Sequence, residues 1–252
     1  MSPDQSPREE LLRNLSVVLA RPAFAGNVGS VARAMSNFGV REGKVVAPRC
    51  DLNHVEARQF ATGPAAVILA TMTTEKNLPD AVASCATVIG LTRRAGKFRK
   101  PTLAIDEISP CLASGKTAIV LGPEESGLTD EDLSVCTHVL TLDVSPVNPS
   151  LNLSHAVAVV LSAIYRELGK GSPAPGRRDL VASSDYQLLS KRLRELVASL
   201  EVAGHLSHGE HFAELLARSF QRSRCDSDDM RAWHGFVSAV EKSLGPKRGN
   251  AG

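Results

Sequence analysis

No Cys-x-x-Cys pair occurs in this 252-residue sequence. Its five cysteines, Cys50, Cys85, Cys111, Cys136 and Cys225, stand singly, and an odd set of scattered thiols fits buried thiols in a reducing compartment rather than a disulfide frame. Long apolar runs are missing too. The longest, Ala156 to Leu161, is far too short for a bilayer, and the opening "MSPDQSPREELLRN" lacks the apolar stretch of an export signal. Neither secretion nor membrane insertion is expected; a cytoplasmic location is. An excess of charge of one sign is also absent: 29 Lys and Arg face 27 Asp and Glu, a net +2, so affinity for nucleic acid has to come from local clusters. There is no internal repeat. What the chain does have is 43% hydrophobic residues, enough for a substantial core in one large domain or in a medium and a small one.

Short β-branched runs recur: "SVVLA" (Ser16 to Ala20), "KVVA" (Lys44 to Ala47), "TVIGL" (Thr87 to Leu91), "TAIVLG" (Thr117 to Gly122) and "HVLTLDV" (His138 to Val144). Each reads as a short buried strand. Helical patterns lie between them, at Val28 to Phe38, Asn77 to Ser84 and Thr129 to Cys136, the last opened by Thr129 as cap with Asp132 at the capping-box position. Alternation of the two predicts an α/β fold with a mostly parallel sheet. After a long helix over Ser154 to Leu168 comes "GKGSPAPGRRD", which cannot hold regular structure, and beyond it three helical stretches with almost no strand signal. The expected organisation is a polar tail over 1–13, an α/β domain over 14–168, a basic linker over 169–184, a small all-helical module over 185–246 and a tail over 247–252.

The stretch "AGNVGSVARAMSNFG" looks like a glycine-rich turn feeding a helix, yet Gly26 and Gly29 are spaced GxxG, without the GxGxxG and distal acid of a dinucleotide site. On a helical wheel Val28, Val31, Ala32, Met35 and Phe38 form a core stripe, and Gly29, Ser30, Arg33 and Asn37 face the other way. Arg33 is then either an ordinary solvated charge or a group on a small-residue face open to close approach by a ligand or another chain. The start of a helix after a strand also favours anions.

Three further stretches could carry chemistry. "IVLGPEESGLTDED" is a strand leaving through a Gly-Pro turn into a capped helix, the place where open α/β sheets bind ligands; Glu124 and Glu125 there are an acid/base pair or merely solvated. "SPVNPSLNLSHAVAVVL" brings Ser150, Asn152 and Ser154 to a helix entry, where one of them is at least the N-cap. "TRRAGKFRK" sets Arg93, Arg94, Lys97, Arg99 and Lys100 around Phe98, a surface suited to phosphates and bases, and Arg218, Arg222 and Arg224 add a second basic strip. The triple His205, His208, His211 with Glu210 straddles a loop and is not expected to hold a metal.

"GNVGSVARAMSNFG", "IVLGPEESGLT" and "PSLNLSHAVAVVL", in this order at strand exits, resemble the three motifs of the SPOUT superfamily of RNA 2'-O-ribose methyltransferases. The tail "LLARSFQRSRCDSDDMRAWHGFVSAVEK" resembles the helical extension of the TrmJ type, whose members methylate tRNA in the anticodon loop at position 32. The resemblance implies a C-terminal trefoil knot, a homodimer, tRNA as substrate and S-adenosylmethionine as cofactor, with no metal and no membrane partner. It assigns Arg33, Asn27 and Ser150 to catalysis and Leu91, Thr92, Gly122, Glu124, Leu142, Ser150, Leu151 and Leu153 to the cofactor. RNA contacts are expected from Arg93, Arg94, Lys97, Arg99, Lys100, Arg218, Arg222 and Arg224. Related sequences often carry an arginine where this chain has "PEES". Since a guanidinium does not readily give up a proton, Arg33 is expected to hold a phosphate and the developing alkoxide rather than act as base. The competing readings are an rRNA or another tRNA site as target, and a catalytically silent RNA-binding protein of the same fold.

Overall fold

A computed structural model of the chain describes residues 7–92, 100–147, 150–169, 181–202, 208–223 and 225–244. They fall into two compact units, Met1–Arg177 and Arg178–Gly252.

The first unit runs α1 (Pro7–Leu12), β1 (Leu15–Ala20), α2 (Ala25–Asn37), β2 (Glu42–Val46), α3 (Val55–Phe60), α4 (Ala65–Thr71), β3 (Thr73–Glu75), α5 (Leu78–Val82) and β4 (Thr87–Leu91). It continues through a 3-10 turn (Ile105–Glu107), α6 (Ile108–Ser114), β5 (Thr117–Leu121), α7 (Asp130–Val135), β6 (His138–Leu140) and α8 (Leu153–Leu168). The strands form one parallel sheet in the order β3-β2-β1-β5-β4-β6. All six residues of β1 are buried, because a central parallel strand is covered on both faces. Leu15, Val17 and Leu19 join Ile89, Ile119 and Leu121 in a core with α2 and α8; Val18 and Ala20 point the other way, to Val88, Val120 and α5.

All five expected strands are present, with one correction: β6 ends at Leu140 rather than Val144. Past it, the Thr141 hydroxyl donates to the Thr92 carbonyl (3.0 Å), so the chain leaves the ladder still tied to the exit of β4. Also not anticipated were β3, α3, α4, the 3-10 turn with α6, and α1, which corrects the expected polar tail over 1–13: residues 7–12 are helical and Leu12 is buried in the core. β3 is an edge of three residues without an apolar side chain, and of the six residues of α3 only Ala57 is buried, which leaves no periodicity to read. On its other edge β6 meets residues 101–103: Val139 donates to the Pro101 carbonyl and Leu103 donates to the Val139 carbonyl (both 2.9 Å). β6 therefore lies between β4 and the chain that follows β4.

The second unit contains α9 (Ser183–Val202), α10 (Gly209–Ser223) and α11 (Ser227–Ser243). Ser183 and Ser184, assigned to the linker by composition, lie within α9. Tyr186, Leu189, Leu193 and Leu196 repeat at helical spacing and bury against Phe220, Met230 and Val237. Arg192 ties α9 to α11 by contacting His234 Nδ1 (2.9 Å), Ser238 Oγ (2.9 Å) and Glu241 Oε2 (2.8 Å).

All five cysteines are thiols outside any disulfide; four are buried and Cys50 is half-buried. Burial pushes the Cys136 thiol up to about 12 and raises those of Cys50 and Cys85 as well, which keeps these side chains protonated near neutral pH. Among the described residues no helix is long and apolar enough to cross a membrane, and no three His, Cys, Asp or Glu side chains are placed to share a metal ion.

Candidate functional site

A cavity of about 190 Å3 opens at the carboxyl ends of β4, β5 and β6, the edge at which parallel α/β sheets take ligands. All eight residues expected around the cofactor line it: Leu91 at the end of β4 and Thr92 just past it, Gly122 and Glu124 past β5, Leu142 past β6, and Ser150, Leu151 and Leu153 leading into α8. Pro123 to Leu128 complete one wall. That wall depends on Gly122, where a Cβ would stand 2.2 Å from the Gly127 carbonyl carbon and 2.3 Å from the Leu128 nitrogen. The fold-back is a turn in which Gly127 donates to the Pro123 carbonyl (2.8 Å) with a φ of +68°.

Hydrogen bonds join the three motifs. The Asn27 side chain donates to Glu124 Oε1 (2.7 Å) and accepts at Oδ1 from Asn152 Nδ2 (3.0 Å). The other Glu124 oxygen accepts from the Ala23 backbone N–H (3.0 Å). Phe24, the N-cap of α2, has no side-chain acceptor to offer, so the Glu124 carboxylate is the anion at that helix start. Asn152 is the N-cap of α8, accepting from Ser154 N (2.9 Å) and Ser154 Oγ (2.8 Å). Asn27 itself does not line the cavity; it stands behind Glu124, which does.

Helix α2 corrects the reading of the opening stretch. It begins at Ala25 rather than Val28, so Gly26 lies inside the helix rather than in a turn before it. Nor does Gly29 belong to an open small-residue face: it is buried, and a Cβ there would sit 2.1 Å from the Ala57 carbonyl oxygen of α3. The close approach it permits is to this chain's own backbone. Arg33 remains exposed, with no hydrogen bond or ion pair to a described residue. Six residues separate it from Asn27, about 9 Å along the helix and on a different face, and it does not line the cavity.

Of the expected RNA contacts, Arg93, Arg94, Lys97, Arg99 and Arg224 lie outside the described residues, as do His205 and the side chain of Arg222. Lys100 is half-buried and donates to the Ser134 carbonyl (3.2 Å). Arg218 is half-buried on α10, and its Nε is enclosed without a hydrogen-bond partner among the described residues.

One pair near the site escaped sequence reasoning. The Arg21 guanidinium grips the Asp132 carboxylate with both terminal nitrogens, Nη1 to Oδ1 at 3.0 Å and Nη2 to Oδ2. Burial pushes the Asp132 carboxyl up, but the hydrogen bonds from Arg21 and Thr129 and the Arg21 charge outweigh it and hold it below the ordinary carboxylate range. The capping box foreseen at Thr129 and Asp132 is present; that Asp132 has a second donor, 111 residues away in sequence, had no local signal.

The profile described as the SpoU rRNA Methylase family matches residues 14–162 of this chain. The tRNA (cytidine-2'-O-)-methyltransferase TrmJ of Methanocaldococcus jannaschii is 30% identical over 228 residues, covering 87% of this chain and 95% of that protein. The tRNA (cytidine/uridine-2'-O-)-methyltransferase TrmJ of Cronobacter sakazakii is 28% identical over 249 residues, 94% of this chain and 100% of its own. Among solved structures, TrmJ from Z. mobilis ZM4 superimposes with a TM-score of 0.76 at 26% identity, covering 90% of this chain and 98% of that one.

Proposed function

The chain belongs to the SpoU rRNA methylase family, and on that premise we propose that it transfers a methyl group from S-adenosylmethionine to a ribose 2'-oxygen of tRNA, at the cytidine or uridine of position 32 in the anticodon loop. The observation that carries this reading is that the second and third motifs line one cavity on the carboxyl edge of the sheet and that the first is hydrogen-bonded to both of them through Asn27. Similarity along most of the chain to enzymes named for tRNA 2'-O-methylation supports the substrate. The work is divided between a methyltransferase domain over 14–168 and a helical RNA-binding extension over 185–246, in the cytoplasm.

The cavity suits the cofactor chemically. Leu91, Leu142, Leu151 and Leu153 offer aliphatic walls for a flat ring system, while Glu124 and Glu125 place carboxylates, and no described cation, on the lining. When bound, S-adenosylmethionine supplies a methyl carbon on a cationic sulfur, open to in-line attack. Ser150, exposed at the cavity mouth, is placed to orient the ribose. Asn27 is a brace rather than a reactant, since both ends of its amide are engaged by Glu124 and Asn152. Arg33 keeps a guanidinium without a hydrogen bond or ion pair to a described residue and supplies positive charge to the phosphate and the developing 2'-alkoxide. Because Arg33 lies off the cavity of its own chain, a homodimer through the methyltransferase domain is part of this reading; Phe24, Phe60 and Val159 expose apolar surface there, 54%, 49% and 47%. The trefoil knot is supported by β6 lying between β4 and residues 101–103.

The test is nucleoside mass spectrometry of tRNA from cells lacking the gene, with and without complementation, followed by methylation of a purified tRNA in vitro. The expected result is loss and recovery of 2'-O-methylation at position 32. An unchanged tRNA with a methyl missing from rRNA moves the substrate, and tRNA binding without any transfer leaves an RNA-binding protein.

A further inference from the structure

The cavity wall formed by residues 122–128 is fastened at both ends, and both fastenings lead to one short segment, residues 21–27. At the near end Glu124 is held by Ala23 and Asn27. The far end closes on Thr129, whose backbone N–H and hydroxyl both donate to Asp132 Oδ2 (2.8 and 2.9 Å). Asp132 in turn is gripped by Arg21. Its carboxylate accepts four hydrogen bonds while its side chain is only 5% exposed, and without Arg21 that charge would be enclosed with Thr129 alone for company.

The backbone around Arg21 is shaped for this grip. Arg21 has a φ of +51°, in the left-handed region that residues other than glycine, asparagine and aspartate rarely enter. It is fixed there by its N–H donating to the Val46 carbonyl (2.8 Å) and by Arg49 Nε donating to the Arg21 carbonyl (3.2 Å). The segment therefore leaves β1 with the Arg21 side chain on α7 and continues directly into Ala23 and Asn27, which hold Glu124. A closed ring results: Arg21, Asp132, Thr129, the wall 128–124, then Asn27 and Ala23 back to Arg21.

We propose that Arg21 and Asp132 are positioning residues for cofactor binding, acting as a clamp that holds the wall 122–128 in its binding geometry before the ligand arrives. Neither touches the cavity; each acts through Thr129 and Leu128. A wall set in advance lowers the ordering cost of binding, so the clamp governs cofactor affinity more than the rate of transfer. The proposal rests on the reading of the cavity as the S-adenosylmethionine site.

The experiment compares full-length wild type with Arg21→Asn, whose side chain tolerates the left-handed backbone, with Asp132→Asn, which keeps an acceptor for Thr129, and with the double variant. S-adenosylmethionine is titrated calorimetrically well below each melting temperature, and kcat and cofactor KM are measured with tRNA. Each single variant is expected to weaken cofactor binding about tenfold while kcat at saturating cofactor stays within about threefold, and the double variant is expected to be no worse than the singles, because both remove one interaction. Variants that melt earlier yet bind with the wild-type Kd reduce the pair to fold maintenance and overturn the proposal, as does an additive double variant. Should these proteins not fold, Arg21→Lys, which keeps the charge but not the two-pronged grip, carries the test: about threefold weaker binding is expected, and a wild-type Kd overturns the clamp. A wild type that does not bind S-adenosylmethionine overturns both the cavity reading and the proposal, whereas a wild type that binds beside variants that bind equally overturns the clamp alone.

Discussion

Arg21 and Arg33 lie on one continuous segment, at the exit of β1 and on the outer face of α2, and their surroundings are opposite. Arg21 is partly covered, its guanidinium committed to a buried carboxylate and its backbone held by Val46 and Arg49. Arg33 is exposed and makes no hydrogen bond or ion pair to a described residue. Yet α2 is packed by α3, α4 and α8, so Arg33 rides on a rigid element. A cation whose donors are already satisfied holds the chain together. A cation held rigidly and left without partners is the one available to a phosphate or an oxyanion, and no solvation argument requires it at that position.

The comparison breaks most visibly at Arg33. Arg33→Ala is expected to lower kcat for methyl transfer by roughly 100-fold or more, the scale of a lost oxyanion donor, while the melting temperature moves by no more than about 2 °C because the side chain is exposed and has no hydrogen bond or ion pair to a described residue. Arg33→Lys should retain part of the activity. Steady-state kinetics beside a melting curve decide it, and a wild-type rate for Arg33→Ala would falsify the catalytic assignment. Loss of tRNA binding with unchanged kcat at saturation would demote Arg33 to substrate positioning.

Next in size is a purely structural effect on the same helix. Gly29→Ala places a methyl 2.1 Å from the Ala57 carbonyl oxygen, a backbone atom that cannot swing away. α2 must shift from α3, at a cost of about 1–3 kcal/mol and a fall in melting temperature of roughly 2–12 °C. If Gly29→Ala melts like wild type, the helices are not in close contact and the rigidity credited to Arg33's support is lost with it.

Much of this could be read from the sequence. β1, β4 and β5 show as β-branched runs because both of their faces are buried, and the Thr129–Asp132 box shows because its two members are three residues apart. Resemblance brought eight residues that line one cavity, although they are spread from Leu91 to Leu153. Illegible were contacts that join distant segments through side chains of ordinary type. Arg21 follows an apolar strand as any surface cation might, and only folding brings it to Asp132. Gly29 was misread for a related reason: a helical wheel separates core from non-core but cannot tell solvent from a second helix, and α3 is too short to announce itself.

The helical unit supplies a control of intermediate size. Arg192 resembles Arg21 in having several partners, but those are His234, Ser238 and Glu241, all on α11. Arg192→Ala should lower the stability of that unit by about 1–3 kcal/mol, seen as an earlier calorimetric transition, and leave S-adenosylmethionine affinity unchanged. Weaker cofactor binding in Arg192→Ala would show that loss of any buried arginine network has this effect, and the contrast between paired and unpaired cations would then say nothing about the cavity.

The smallest effect is one of pH, and it separates the two arginines without any assay of function. Asp132 is held below the ordinary carboxylate value in the folded chain: burial raises it, but hydrogen bonds from Arg21 and Thr129 and the Arg21 charge prevail. Its contribution to stability is therefore full above the unfolded carboxylate value, near 4, and is lost as the pH falls from there through the lowered folded value, because the unfolded chain takes up the proton first. In Arg21→Asn the burial contribution gains weight and the folded carboxyl takes up its proton more readily. The gap in melting temperature between wild type and Arg21→Asn should then be widest near neutral pH and narrow as the medium is acidified through the variant's higher carboxyl value and on through the wild type's lowered one. Arg33→Ala should follow the wild-type curve throughout. A gap that stays constant into acid would mean that Arg21 does not hold the Asp132 charge, and a gap that opens for Arg33→Ala would mean that Arg33 has an internal acidic partner after all.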